Sequence, residues 1–435
     1  MSDEARPPSV EHAPKRKAEV AKKRTVGRVV LISALVLALV TGLGTVYLVR
    51  HLNGNIETGS FEVLGEDRPE RVYEGNGEPL NILVMGDDSR SGEGNDIDQE
   101  SGGGSDTTIL VHLSADRSRA YAVSIPRDSI VDRPECNDGD SPAATDVMWN
   151  AAFSVGKELC TAGQFEQMTG IRLDHYVVID FNGFGDMVDA VGGVPVCVPK
   201  DIVDKKHAIF VPEGDPSLLS GDQALDYVRA RYVGKLIEQN DISRIRRQQE
   251  FIGALVREVK SAGTLTRLDR VVNFLDAATR SLRTNEELGS VTRLGKIALQ
   301  LQSIGLDEVK FVTLPTDYFP SDSEFRGKVF WKPEADAIWD LLNEDKELPA
   351  KLIGDTSVSA EGPPSSSESP SPSAGSETPS PTETPSETPT ETPTETPSET
   401  PSETPSETAS ESPTETPSET PTTKPPEKKI FGVCA

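Results

Sequence analysis

Four cysteines in 435 residues (Cys136, Cys160, Cys197 and Cys434) are too few for a disulfide scaffold and could close two bridges at most. No His-Glu-x-x-His, Cys-x-x-Cys, P-loop or Gly-x-Ser-x-Gly pattern occurs. Their absence weighs against zinc proteases, dithiol redox enzymes, P-loop kinases and serine hydrolases. Positive charge is also scarce: 44 Lys and Arg against 71 Asp and Glu give a formal charge of -27, which argues against nucleic acid as a general partner. The imbalance is local, because twelve glutamates and no lysine or arginine lie between Glu368 and Glu419. Ten of them, from Glu383 to Glu419, recur every four residues among Pro, Ser and Thr. A four-residue unit carries no core, so a solenoid is excluded and residues 354–435 are expected to form an extended, self-repelling, disordered tail.

The opposite end is basic. Lys15, Arg16, Lys17, Lys22, Lys23, Arg24 and Arg28 precede Val29–Val49, which holds no charge in twenty-one residues. At about 1.5 Å per residue such a run spans a hydrocarbon core of roughly 30 Å, and it is too long for the apolar part of a signal peptide. The basic flank predicts a cytoplasmic tail (1–28), a single span (29–49) in the cell membrane and everything beyond Arg50 outside. Residues 50–79 read as an extracytoplasmic stalk.

The folded body is expected over 80–353. Asn81–Met85, Thr108–Leu113, Tyr121–Ile125, His175–Ile179, Val194–Val198 and Val309–Leu314 are short apolar runs bounded by turn residues, as buried strands are. Helical periodicity marks 144–158, 162–170, 184–191, 271–282, 286–303 and 333–342, besides a long helix opened by Asp241. Strands interleaved with helices predict an α/β domain with helices on both faces of a sheet.

Five arginines fall between Tyr227 and Gln249: Arg229, Arg231, Arg244, Arg246 and Arg247. Ile242, Ile245, Gln249, Ile252, Val256 and Val259 make one stripe of the helix, and Arg244, Arg247, Gln248 and Phe251 fall on the neighbouring face. Two arginine-bearing helix ends joined by one loop suit a multiply charged anion, since guanidinium forks bind phosphate bidentately. The competing reading is a solvated basic face. Charge also collects at strand ends, in Met85-Gly86-Asp87-Asp88-Ser89-Arg90, around Ser105-Asp106-Thr107, and in Pro126-Arg127-Asp128. Ligands bind at such edges of open α/β sheets, and Asp87 or Asp88 with Asp106 would suit a Mg²⁺-bound pyrophosphate. Taken singly, an Asp or Gly at a strand end is more often a turn former.

The segments NILVMGDDSR, SDTTILVHL, SIPRDS, MWNAAF, MTGIRLDHYVVIDFNGFGDMVDAVGGVPV, ALDYVRAR and DISRIRRQQ, in this order over about residues 80–345, resemble the LytR-CpsA-Psr family, of actinobacterial type. The resemblance implies a three-layer α-β-α sandwich with a mixed central sheet. It also implies transfer of a glycopolymer from a polyprenyl-pyrophosphate carrier to peptidoglycan, with pyrophosphatase side activity open to the same site. By the family pattern, Asp88 and Asp106 would hold Mg²⁺ (or Mn²⁺). Arg127, Arg229 and Arg244 would be catalytic, Arg231, Arg247 and Gln248 would bind the pyrophosphate, and Asp241 would orient the set. Phe181, Phe184, Met187 and Val191 could line a groove for the polyprenyl chain, or be ordinary core.

Two positions depart from the pattern: Gly104 and Met148 stand where the family usually has cations. A second function therefore stays open, a non-catalytic envelope sensor or attenuator that binds lipid-linked precursors. A wall-anchored structural protein is a third. Cys136 and Cys160 flank the Asn150 helix as an external bridge could, which would leave Cys197 with Cys434, although four cysteines allow three connectivities.

Overall fold

The computed structural model describes residues 18–64, 68–87, 104–136, 139–205, 208–230, 241–305, 308–353 and 358–359. Asp88, Arg231 and Cys434 lie outside these residues, as do the first 17 residues and nearly all of the acidic tail. Helix α1 (Ala18–Asn55) leads into strand β1 (Glu57–Gly59). Three long strands follow, β2 (Leu80–Asp87), β3 (Ser105–Leu113) and β4 (Ala120–Ile125), and then a hairpin of β5 (Ile130–Arg133) and β6 (Ala144–Met148). Next come α2 (Ala151–Thr169), β7 (His175–Asp180), α3 (Phe181–Val191) and four short strands: β8 (Val194–Val198), β9 (Ile202–Asp204), β10 (Ile209–Val211) and β11 (Gly214–Leu219). The helices α4 (Gly221–Arg229), α5 (Asp241–Lys260), α6 (Ala262–Leu265) and α7 (Leu268–Ser281) precede β12 (Leu282–Asn285). The rest is α8 (Val291–Ser303), β13 (Val309–Thr313), the hairpin β14 (Thr316–Tyr318) with β15 (Val329–Trp331), α9 (Pro333–Asn343), α10 (Ala350–Ile353) and β16 (Val358–Ser359).

Eight strands form the central sheet in the order β1-β12-β7-β2-β3-β4-β13-β16. It is mixed: β2 pairs parallel with β7 and antiparallel with β3, and β4 pairs antiparallel with β3 and parallel with β13. Alternation along the strands decides which residues meet which helices. Leu83, Met85, Leu110, Tyr121 and Val123 join a core with Trp149, Phe153 and Phe165 of the α2 region and Ile338, Trp339 and Leu342 of α9. The intervening Val84, Ile109, Val111 and Ala122 face the other way and pack with Phe311 and with Ile252 of α5. Helices therefore cover both faces, as the interleaved pattern predicts.

Several boundaries differ from expectation. Residues 144–148 are a strand, not helix: Asp146 sits at φ 56, which no helix accepts, and the segment pairs with β5 across a bulge. The expected helices 144–158 and 162–170 become one helix, α2, kinked where Gly156 and Lys157 leave helical geometry. The Cys136–Cys160 disulfide ties the loop beyond β5 to α2, with Cα atoms 5.4 Å apart. Cys197 is disulfide-bonded as well. Residues 286–303 split at Gly289, after which the Ser290 hydroxyl caps α8 by accepting from the Arg293 N–H at 3.3 Å. The expected stalk is partly sheet, since β1 extends β12 in parallel register, and β16 pairs with β13 at the start of the expected tail. Among the described residues, Val26–Asn55 is the one span long and apolar enough to cross a membrane.

Helices α3 and α7 pack so closely that a Cβ on Gly183 would lie 2.0 Å from Ser281 Cβ. Replacing Gly183 by Ala should therefore destabilise the domain by ~1–3 kcal/mol through forced separation of the pair. Urea unfolding measures this, and a neutral effect would contradict the packing described.

Candidate functional site

The site forms where β3, β4 and α5 meet. Arg127 follows β4 after Pro126, and Asp106 lies at the start of β3, the antiparallel neighbour of β4. The Arg127 Nη1 donates to Asp106 Oδ1 at 2.5 Å. Its Nε lies 3.8 Å from Asp241 Oδ1 and 3.9 Å from Asp128 Oδ2. Arg244, one turn into α5, donates to Asp241 Oδ1, and its Nη1 lies 3.8 Å from Asp106 Oδ2. Arg127 and Arg244 thus share the same two carboxylates, Asp106 and Asp241.

Arg244 and Arg247 are not on a solvated face. Arg244 is 2 % exposed and Arg247 is 1 % exposed. Helix α5 is gripped from both sides. Gln249 donates to Ser124 Oγ of β4 at 2.9 Å and to Thr313 Oγ1 of β13 at 3.3 Å, while Phe251 and Ala254 join the core of α4 and β8. This burial on two sides makes the helix positions into fixed coordinates for its polar residues. Arg247 donates to the Ala230 carbonyl and Gln248 Nε2 reaches the Val228 carbonyl at 3.4 Å, so the end of α4 is fastened to α5. Arg229 lies over the ring of Phe181, 4.6 Å from its centroid.

Burial alone would lower the Arg127 pKa, but the Asp106, Asp128 and Asp241 carboxylates outweigh it and hold this guanidinium above its ordinary range. Arg247 behaves oppositely: burial pulls it down to about 10, and the neighbouring Arg244 charge adds to the drop. The Nε of Arg247 and Oδ2 of Asp241 are buried without a hydrogen-bond partner among the described residues. Guanidinium forks of this kind can pair with an anion that has several oxygens. Among the described residues no cluster of three His, Cys, Asp or Glu side chains exists to hold a metal alone.

Of the residues expected from sequence, the structure brings together Arg127, Arg244, Arg247, Asp106, Asp241 and Gln248, with Arg229 at the end of α4. Asp88 and Arg231 fall outside the described residues. Phe181, Met187 and Val191 are buried, and Phe184 packs on Phe251 with ring centroids 5.3 Å apart. Other participants escaped the sequence reading. Lys328, at the edge of β15, donates to Asp128 at 3.0 Å, and burial together with the Asp241 and Asp128 charges pushes the Tyr318 phenol up. The pattern along the β14–β15 hairpin gives no sign of either. Asp87 is held by Arg283 at 2.7 Å. Gly104 leaves room that Asn150 fills: a Cβ there would lie 3.1 Å from Asn150 Nδ2. Met148 is half-buried and pairs with Ile130 across the hairpin.

The family described as the LytR_cpsA_psr family matches residues 52–347. The chain is 32% identical over 318 residues to the cell wall biosynthesis protein LcpA of Corynebacterium glutamicum, covering 66% of this chain and 59% of that one. It is 30% identical over 272 residues to a polyisoprenyl-teichoic acid–peptidoglycan teichoic acid transferase, TagV of Bacillus subtilis, covering 60% of this chain and 64% of that one. The match thus spans about three fifths of each relative's own length. The fold is similar to that of a Streptococcus agalactiae protein of known crystal structure, with a TM-score of 0.51 and 22% identity over 62% of this chain and 90% of that one.

The depressed pKa of Arg247 corresponds to a folding cost on the order of 3 kcal/mol. A base lowered by folding weakens the fold while charged, so this cost is complete at neutral pH and fades only above pH about 10. Arg247→Met should accordingly raise the unfolding free energy of the unliganded protein by ~1–2 kcal/mol, part of the gain being lost with the Ala230 hydrogen bond. Denaturant titration of the variant at pH 7 tests this, and a marked loss of stability would refute it.

Proposed function

Since the chain belongs to the LytR_cpsA_psr family, we propose that it is a membrane-anchored phosphotransferase that moves a glycopolymer from a polyprenyl-pyrophosphate carrier to peptidoglycan. The observation that carries this reading is the convergence of Arg127 and Arg244 on Asp106 and Asp241, with Arg247 buried beside them. Phosphoryl transfer asks a protein mainly for positioning and for neutralised phosphate oxygens, and guanidinium groups supply both. The names of the relatives, a cell wall biosynthesis protein and a teichoic acid transferase, support the same class of reaction.

In this reading Arg127 and Arg244 exchange part of their contact with Asp106 and Asp241 for contacts to the pyrophosphate. Arg247 and Gln248 hold the far side of the group with Arg229 at the end of α4, Arg231 would bind it by the family pattern, and Asp241 keeps Arg244 aimed. A peptidoglycan hydroxyl attacks the phosphorus that carries the glycan, a phosphodiester forms, and polyprenyl phosphate leaves. Hydrolysis of the same anhydride by water would be the side activity. Mg²⁺ (or Mn²⁺) would be held by Asp106 with Asp88. The donor set fits, because its oxygens are hard carboxylates and the buried Asp241 Oδ2 beside them lacks a hydrogen-bond donor among the described residues. When bound, the ion would neutralise phosphate oxygens. The basic flank before the uncharged run Val29–Val49 supports a cytoplasmic N-terminus and an external domain.

The experiment is reconstitution of the full chain with a polyprenyl-pyrophosphate glycan, peptidoglycan and Mg²⁺. Arg127→Lys and Arg244→Lys should each lower transfer by roughly one to two decades, because lysine keeps the charge but loses the planar fork. Asp106→Ala should abolish it while the fold persists. Tight binding of the lipid without turnover in the wild type would favour the sensor reading instead. Near-wild-type transfer in both lysine variants would remove the site from the reaction.

A further inference from the structure

The end of α1 is part of the folded domain. His51 Nε2 lies 2.9 Å from Asp276 Oδ1, and Asn55 Nδ2 donates to Asp276 Oδ1 at 3.1 Å and to Thr279 Oγ1 at 3.2 Å. Leu52, between them, is buried, and the Asn53 side chain accepts from the Val291 N–H at the start of α8 at 2.9 Å. Across Ile56 alone α1 enters β1, and α7 runs directly into β12. These strands are parallel neighbours, with Glu57 opposite Arg283. Two helices that feed adjacent parallel strands run side by side in one direction, and the contacts agree: His51 and Asp276 differ by 225 positions, Asn55 and Thr279 by 224.

Carried back along both helices, that offset sets Leu268, the first residue of α7, level with Leu43. Leu43 lies six residues inside the outer end of the uncharged run Val29–Val49. At about 1.5 Å per residue this is ~9 Å below the edge of the apolar span. At this depth the domain presents leucine: Leu268 is 76 % exposed and Leu265, at the end of α6, 57 %. A third, Leu218, is 63 % exposed and belongs to the same end, since a Cβ on Gly193 would touch it at 3.1 Å and Gly192 beside it packs on Arg270. Charges beside Leu268 are engaged. Arg267 Nη2 pairs with Asp269 at 2.8 Å, and Arg270 Nη1 donates to the Val191 carbonyl at 2.8 Å. Exposed leucines beside a paired Arg267 and a hydrogen-bonded Arg270, whose cation suits the headgroup level, fit the boundary between headgroups and acyl chains, where apolar side chains sink about 5–10 Å.

We propose that the α6–α7 corner, through Leu265 and Leu268 with Leu218 beside them, dips into the outer leaflet of the bilayer that α1 spans. The contact rests on the reading of α1 as a membrane anchor. It gives the domain a second foothold, so that it stands on the membrane in one orientation. Helix α3 runs from Phe181, beneath Arg229, down to Val191 at this corner. Its 11 residues hold Arg229 ~16 Å above the inserted leucines. With the leucines ~9 Å below the edge of the apolar span, Arg229 stands ~7 Å above it, and a carrier lipid with its tail in the leaflet has to rise by about that smaller distance to bring its phosphates to the arginines.

The test uses the full chain in phosphatidylglycerol-containing vesicles, with native disulfides left closed. A nitroxide is attached at Leu268→Cys or Leu265→Cys, with Leu43→Cys in α1 and Glu324→Cys on the β14–β15 loop as references. Collision rates with oxygen and with a water-soluble nickel complex are compared by electron paramagnetic resonance. Both corner positions should show an oxygen-to-nickel ratio roughly threefold or more above Glu324, because the nickel complex is excluded from hydrocarbon. Both substituted leucines are exposed, so the fold should not suffer. Ratios equal to that at Glu324 would overturn the proposal, as would low collision with both reagents, the mark of a protein contact. An aqueous ratio at Leu43 would show that the anchor reading itself is wrong and remove the proposal with it.

Discussion

Everything at the strand ends depends on one electrostatic arrangement: the guanidiniums of Arg127 and Arg244 share two carboxylates, Asp106 and Asp241, and a third guanidinium, Arg247, lies buried beside Arg244. Guanidinium groups rarely cluster without anions, because each must be desolvated and all repel one another. Here the two aspartates compensate Arg127 and Arg244, while among the described residues Arg247 lies beside the Arg244 cation and donates to the Ala230 carbonyl. The arrangement is stable only because the surrounding scaffold holds it. A doubly or triply charged ligand would complete it.

The scaffold is specific about this. The contact of Gln249 with Ser124 and Thr313 fixes the rotation of α5 over the sheet, and the packing of Phe251 between Tyr227 and Phe184 fixes its opposite side. Rotation of α5 by one position would bury Arg246 where Arg247 sits and carry Arg244 away from Asp106. The fold thus spends a fully buried glutamine on aiming arginines, a use of polar core residues that gives geometry more than stability. Lys328, from a hairpin far along the chain, closes the rim by pairing with Asp128.

The extent to which this was legible in the sequence follows from how local each signal is. The strands NILVM, TILVHL and YAVSI announce themselves by composition, and the arginine face of α5 by helical spacing, because both patterns repeat within a few residues. The strand at 144–148 did not, since a left-handed Asp146 and a bulge depend on pairing with β5. The role of β1 was hidden for the same reason: Glu57–Gly59 has no strand pattern of its own and acquires one beside β12. Among site residues, Arg127, Arg244, Arg247 and Asp106 stood in recognisable segments. Lys328 and Tyr318 reach the site only through tertiary packing, which no window of sequence contains.

The central claim is that the arginine cluster is an incomplete ion set that a pyrophosphate completes. Thermal unfolding of the wild-type protein with and without inorganic pyrophosphate, at matched ionic strength set by chloride, tests it most directly. A ligand that binds only the folded state must raise the melting temperature in proportion to its occupancy. The account predicts a concentration-dependent rise with pyrophosphate that chloride does not reproduce. An identical melting temperature in both salts, at pyrophosphate concentrations that saturate phosphate-binding sites generally, would contradict it.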